Sequence, residues 1–308
     1  MPVSGNTRVI SVGEQVAKGT PVASPTVHFP LSGDAAMSPG REIITLPETD
    51  ASSQRADNEV VGASPGGGWS FWWRDSAALL IAEAIQGVIA AGVATPQQAQ
   101  PYYTIWDTIP GEQCTKYDDC RFGQLTVAGQ SLQGVTATVE NVLALKATLG
   151  ATPPTIVLPT DRKFAYPHVK VTVGGVWAGT HDSFSITVNR NLSYLRGDRG
   201  LDIYDTWPGI YEVTGQLVRT MEDDTDYRKV HGGAAASTAL TTAIFTEALE
   251  IRLDDTIASN VAVFDSNAIE YTSVTQPVAV DGAPVLQTLE FNTKRQAAIA
   301  DNLTITIT

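Results

Sequence analysis

The chain has 308 residues, 43% hydrophobic and only 17% charged, with a formal net charge of −13. That length exceeds the roughly 100–150 residues of one small core, so two domains are expected, and the apolar content excludes a disordered chain. The acidic excess is shared, 14 acids to 8 bases in residues 1–150 and 19 to 12 in residues 151–308, so it is no acidic tail; its plainest reading is solubility, and it argues against a DNA grip built on Lys and Arg.

Residues 1–26, rich in Gly, Pro and Thr, read as an extended N-terminal arm. They lack a basic stretch followed by an apolar core, so no signal peptide is read there. From Val27 the texture turns to strands, VHFPLSG and then REIITLPETD, with half-buried alternation. Asp50 to Gly68 is polar, ends in SPGGG, and reads as a long loop. WSFWWR (Trp69 to Arg74) reads as a strong aromatic strand. Asp75 or Ser76 then caps a predicted helix with Ile81, Ile85, Val88 and Ile89 on one face. This stretch, Ala77 to Ala94, is the longest apolar one, but Glu83, Gln86, Gly87 and Gly92 interrupt it, so a helix in water is expected rather than a membrane span, and synthesis in the cytoplasm. YYTIWDTI and RFGQLTVAGQSLQGVTATVENV read as strands again.

ATLGATPPTIVLP (Ala147 to Pro159) reads as a linker by its prolines, and a second cycle follows. HVKVTVGGVW and SFSITVNRNL are strands, Ser193 to Thr206 a polar loop, and WPGIYEVTGQLVR a strand. EDDTDYRKVHGG reads as a short helix with acids first and bases last, which suits the helix dipole. TEALEIRL, NAIEYTSV, PVLQTLEFNT and LTITIT complete the strands. Pro65-Gly66 and Arg74 in the first cycle match Pro208-Gly209 and Arg219 in the second at offsets of 143 and 145 residues, close to half the chain. That order reads as a domain duplication rather than a short-repeat solenoid.

No catalytic, metal or cofactor constellation emerges. Cys114 and Cys120 have no zinc-type spacing; a local disulfide between them stays open as an alternative. The four histidines (His28, His168, His181, His231) are scattered, and SPGGG is followed by a strand rather than by the GK[ST] and helix of a phosphate loop. Acids in EDDTD fit a helix N-terminus better than a calcium loop, lacking its Gly and final Glu. A non-enzymatic, β-rich structural protein is the reading that remains.

On these residues the sequence resembles the tail tube proteins (major tail proteins) of long-tailed phages, in their longer tandem-domain form. The likeness runs through SPTVHFPLSGDAAMSPGREIITLPETDASSQRADNEVVG, the aromatic strand and LLIAEAIQG, then YDDCRFGQLTVAG and VTGQLVRTMEDDTDYRKVHGG, over most of residues 26–300. It implies a mainly β fold of two tandem β-sandwich or barrel domains, each with a flanking α-helix, in residues 27–150 and 151–308. It further implies self-assembly into rings, of three chains with pseudo-sixfold symmetry or of six. The rings would stack into the tube of a virion tail, assembled in the host cytoplasm, with other tail proteins at the tube ends. Genomic DNA would pass through during ejection without specific binding, and no membrane is involved. By position, Glu48, Asp50, Asp57, Glu59, Asp198 and Asp202 become candidates for an acidic lumen or for ring stacking, and Trp69, Trp72, Trp73 and Trp207 for interface aromatics. The alternative is a β-sandwich binding module of the virion, a tail-fibre or capsid-decoration protein.

Overall fold

Alternation along WSFWWR sends Trp69, Phe71 and Trp73 to the same face, and all three are at most 1% exposed. Around them the chain builds a mainly β structure with two α-helices among the described residues and a large antiparallel sheet. The computed structural model describes residues 8–48, 55–177, 180–196, 203–254, 261–277, 284–294 and 302–308.

The first half contains β1 (Val9–Gln15), β2 (Val27–Ala35), a hairpin of β3 (Glu42–Glu48) and β4 (Arg55–Gly62), β5 (Gly66–Trp72) and helix α1 (Asp75–Gln86). It continues through β6 (Gly87–Ala90), β7 (Val93–Pro96), β8 (Tyr102–Ile109), β9 (Gln113–Cys120), β10 (Gln124–Gln130), β11 (Thr136–Leu143) and β12 (Lys146–Leu149). The second half has β13 (Val169–Val173), β14 (Val176–Trp177), β15 (His181–Asn189), a hairpin of β16 (Ser193–Arg196) and β17 (Ile203–Trp207), β18 (Glu212–Thr220) and helix α2 (Thr225–Gly232). The strands β19 (Thr246–Asp254), β20 (Val261–Thr275), β21 (Leu286–Thr293) and β22 (Thr304–Ile307) follow.

Pairing traces one path, β12-β9-β8-β1-β2-β5-β11-β10-β15-β18-β21-β20-β19-β13-β14, with β22, β7 and β6 branching from β20. Within it, β2-β5-β11-β10 and β15-β18-β21-β20 are built the same way. In each, the strand entering a hairpin pairs with the strand leaving it, and the last two are the later strands of that half. Pairing also crosses residue 150, through β10 with β15 and β7 with β22, and the buried core runs through both halves.

Several local expectations are corrected. Residues 9–15 are not an arm: VISVGEQ forms β1, almost wholly buried between β2 and β8. The polar stretches expected to be loops contain paired strands, β4 against β3 and β16 against β17. Helix α1 stops before Val88 and Ile89, because Gly87 takes φ +106° and a side chain there would run into the Ala99 carbonyl. Those two residues belong to β6. Neither Asp75 nor Ser76 caps the helix; the Asp161 carboxylate does, accepting from the Ser76 N–H and from Ser76 Oγ at 3.0 Å each. Cys114 and Cys120 are free and buried at opposite ends of β9, about 20 Å apart, which no disulfide spans.

Candidate assembly surfaces

One face of the eight-strand run from β2 to β20 packs into the core through Phe71, Val139, Val127, Ile186, Leu217, Leu289 and Ile269. The other is polar. Its central row crosses seven strands in register: Ser70, Thr138, Thr126, Thr187, Thr214, Asn292 and Glu270. Two hydroxyl pairs in it lie at 2.9 Å, Ser70 with Thr138 and Thr126 with Thr187. Glu140, Glu212, Glu290 and Glu270 are charged residues of this face. Gln124 donates to Glu140 at 3.0 Å and Ser273 to Glu290 at 2.7 Å. Strands β2, β5, β10, β11, β15, β20 and β21 contain no Lys or Arg, and alternation turns Arg219 of β18 inward to Asp226. Lys294, just beyond β21, pairs with Glu270 at 3.8 Å. The strands of this surface therefore carry carboxylates and hydroxyls, with Lys294 at its margin.

Both hairpins leave the sheet at one end. β15 runs from His181 to Asn189, the β16–β17 hairpin follows, and β18 returns from Glu212 to Thr220. β2, the β3–β4 hairpin and β5 repeat that path. The hairpins meet through an Arg196–Glu42 ion pair, and the Tyr194 hydroxyl donates to the Pro65 carbonyl. Around them Ile43, Val60, Leu195, Tyr204, Trp207 and Ile210 are exposed. The base of β17 is tied down at Asp205, which accepts from Tyr102 at 2.8 Å and pairs with Lys18 at 3.1 Å. Burial pushes the Asp205 carboxyl up. Bonds from Tyr102, the Thr206 N–H and Lys18, with the charge of Arg121, outweigh it and leave the pKa below the usual value. The opposite end carries the helix N-termini, about 30 Å away for a nine-residue strand. The molecule thus has two unlike poles.

The two four-strand sets join at the seam between β10 and β15, where Gln124 to Gln130 pair with Asn189 to Ser183. Arg190, 2% exposed, pins this seam. Its Nη2 donates to the carbonyls of Gln97 and Gln98, and the Tyr211 ring lies 5.4 Å from the guanidinium. Tyr211 donates in turn to Gln86 at the end of α1, at 2.9 Å. Burial and the neighbouring Arg121 pull the Arg190 pKa down.

Of the candidates named from sequence, Glu48, Asp57 and Glu59 lie on the β3–β4 hairpin, while Asp50, Asp198 and Asp202 fall outside the described residues. Trp69 and Trp73 belong to the chain's own core, which corrects their assignment to an interface. Trp72 is half-buried beneath Lys163, 5.6 Å from its ring, and Trp207 is 62% exposed. Sequence reasoning missed Glu140, Glu212, Glu270 and Glu290. The alternation in TATVENV, EVTGQL and LQTLEFN was a signal for an acidic face, but only strand order puts them on the same one. A family model described as "Phage tail tube protein" matches residues 5–293. Comparison with curated proteins gives no match.

Proposed function

The chain belongs to the phage tail tube protein family, and from that premise we propose that its copies close into rings that stack into the tail tube, with the polar face of the eight-strand sheet as the wall of the DNA channel. The observation that carries this reading is the sheet itself. It is continuous across both halves, packs one face against the core, and bears carboxylates and hydroxyls without strand-borne Lys or Arg on the other. Such a wall repels phosphate instead of releasing counterions to hold it, so a duplex slides past.

The tandem reading supports three chains per ring. The seam between β10 and β15 offers a template for the joint between chains. β20 corresponds to β10, and its segment 271–275 extends beyond the β19 pairing; β2 corresponds to β15, and its segment 31–35 extends beyond the β1 pairing. Unpaired strand edges of this kind are a liability in a monomer and an asset in a closed ring. The unlike poles suit head-to-tail stacking, which is heterologous and open-ended. In this arrangement the hairpins, with Glu48, Asp57, Glu59 and Trp207, meet the next ring, and Glu140, Glu212, Glu270 and Glu290 face the channel.

Electron microscopy of the purified protein tests the reading. The expected result is hollow filaments of stacked rings with threefold, pseudo-sixfold symmetry and a net-negative inner wall. A strongly positive inner wall, or a persistent monomer that binds glycans or capsids, overturns it.

A further inference from the structure

The two helix N-termini are equivalent in place but differ in what covers them. In the first half the interdomain linker lies across the end of β5 and the start of α1. Arg74 donates to the carbonyls of Pro159 at 3.3 Å and Asp161 at 2.6 Å, and Asp161 caps the helix. Phe164, 2% exposed, then bridges Trp73 and Val135, donating to the Trp73 carbonyl at 3.1 Å and accepting from the Val135 N–H at 2.9 Å. From there the linker enters β13.

In the second half the corresponding elements, the end of β18, the start of α2 and the start of β21, surround an open cavity of about 450 Å³. Thr180, Arg219, Asp226, Glu247 and Gln287 line it, with Trp177, 63% exposed, at its rim. The counterpart of β13 is β1: β13 pairs with β19 as β1 pairs with β8, the partner in each case being a strand downstream of that half's helix. The segment that stands to β1 as the linker stands to β13 is residues 1–7. In a ring, the half that follows a second half is the first half of the next copy.

The geometry points to a socket at the start of α2 that takes residues 1–7 of the neighbouring copy, completing each ring joint as the linker completes the joint within the chain. This inference rests on the ring reading above. The chemistry of the segment agrees with that of the socket. MPVSGNT has no charged side chain, includes a proline as the linker does and ends in small polar residues, and its carbonyls serve Arg219 as those of Pro159 and Asp161 serve Arg74. It contains no acid and needs none, because Asp223 already accepts from the Thr225 N–H at 2.8 Å, the capping role Asp161 fills in the first half.

A cysteine pair, Ser4→Cys with Thr180→Cys in the full chain, tests it; Cys114 and Cys120 are buried and contribute little background. Mild oxidation of assembled protein is expected to give dimers and trimers on a non-reducing gel, with neither single variant doing so. Hollow assemblies without these cross-links, or a cross-link closed within one chain, overturn the socket and leave the tube reading standing. Loss of all assembly in the wild type takes both down. Deleting residues 2–7 gives a second readout: an unchanged melting temperature with at least a tenfold higher assembly threshold is expected, and an unchanged threshold refutes the socket.

Discussion

His28 sits opposite Ser11 in the pairing of β1 with β2, and its Nδ1 lies 2.8 Å from Ser11 Oγ. Burial holds the imidazole below its ordinary pKa, so the folded chain keeps this ring neutral while the unfolded chain protonates it first. Stability from this site is therefore complete above about pH 6.5 and declines as the pH falls below that value. Urea midpoints should drop between pH 7.5 and pH 5.5, and the slope should flatten in His28→Gln. An equal slope in the variant would assign the effect elsewhere. Asp205 behaves as a carboxylate of depressed pKa: its contribution is lost only further down, as the pH falls through the folded-state value. Neither group announced itself in the sequence. A lone histidine in VHFPL carries no mark of its partner, because Ser11 lies 17 residues away and meets it only through strand pairing.

At the scale of elements, apolar alternation predicted most of the long strands but not β1, β9 or the short β6, β7 and β12, and the acidic-to-basic order of TDYRKVHG predicted α2. Two other misses have plain physical causes. Hairpin strands β4 and β16 each pair with one partner outside the main sheet, and β16 buries little, so hydrophobic periodicity has little to report there. The end of α1 was misplaced because Val88 and Ile89 continue its apolar period, and backbone crowding at Gly87 overrides that period. The seam is where an element carries most weight, since β10 is hydrogen-bonded on both edges. Val127→Pro removes a ladder donor there and leaves a buried acceptor unpaired, costing about 1–3 kcal/mol before any steric effect. Circular dichroism should show a melting temperature well below that of Val157→Pro, which alters an exposed linker residue outside any strand. Equal melting of the two variants would deny the seam its role.

For the whole molecule, acidity matters through its placement. The excess of 13 negative charges is spread over both halves of the sequence, but the polar sheet face collects Glu140, Glu212, Glu270 and Glu290 with no basic residue in the strands around them apart from inward-turned Arg219. Replacing Glu140, Glu212 and Glu290 by Lys should leave the monomer's melting nearly unchanged, because the side chains stand on the polar face. Tubes of the variant should hold short duplex DNA in nuclease-protected form at low salt and release it at high salt, whereas wild-type tubes hold none. Binding that nuclease digests freely would place these glutamates on the outside.

Composition and local order were enough to establish a β-rich, acidic chain and to raise the expectation of two similar cycles, because strand alternation, helix charge order and proline-rich breaks are short-range properties written within a dozen residues. Family likeness then pointed to a tube. Which residues share a surface was decided only by tertiary structure. A strand's two faces are equivalent until its neighbours are known, and the row from Ser70 to Glu270 brings onto one face positions as far apart in sequence as Ser70 and Asn292, 222 residues. Burial of Trp69 and Trp73, the tie between the two hairpins and the open cavity beside α2 are likewise products of long-range pairing, on which the local pattern is silent.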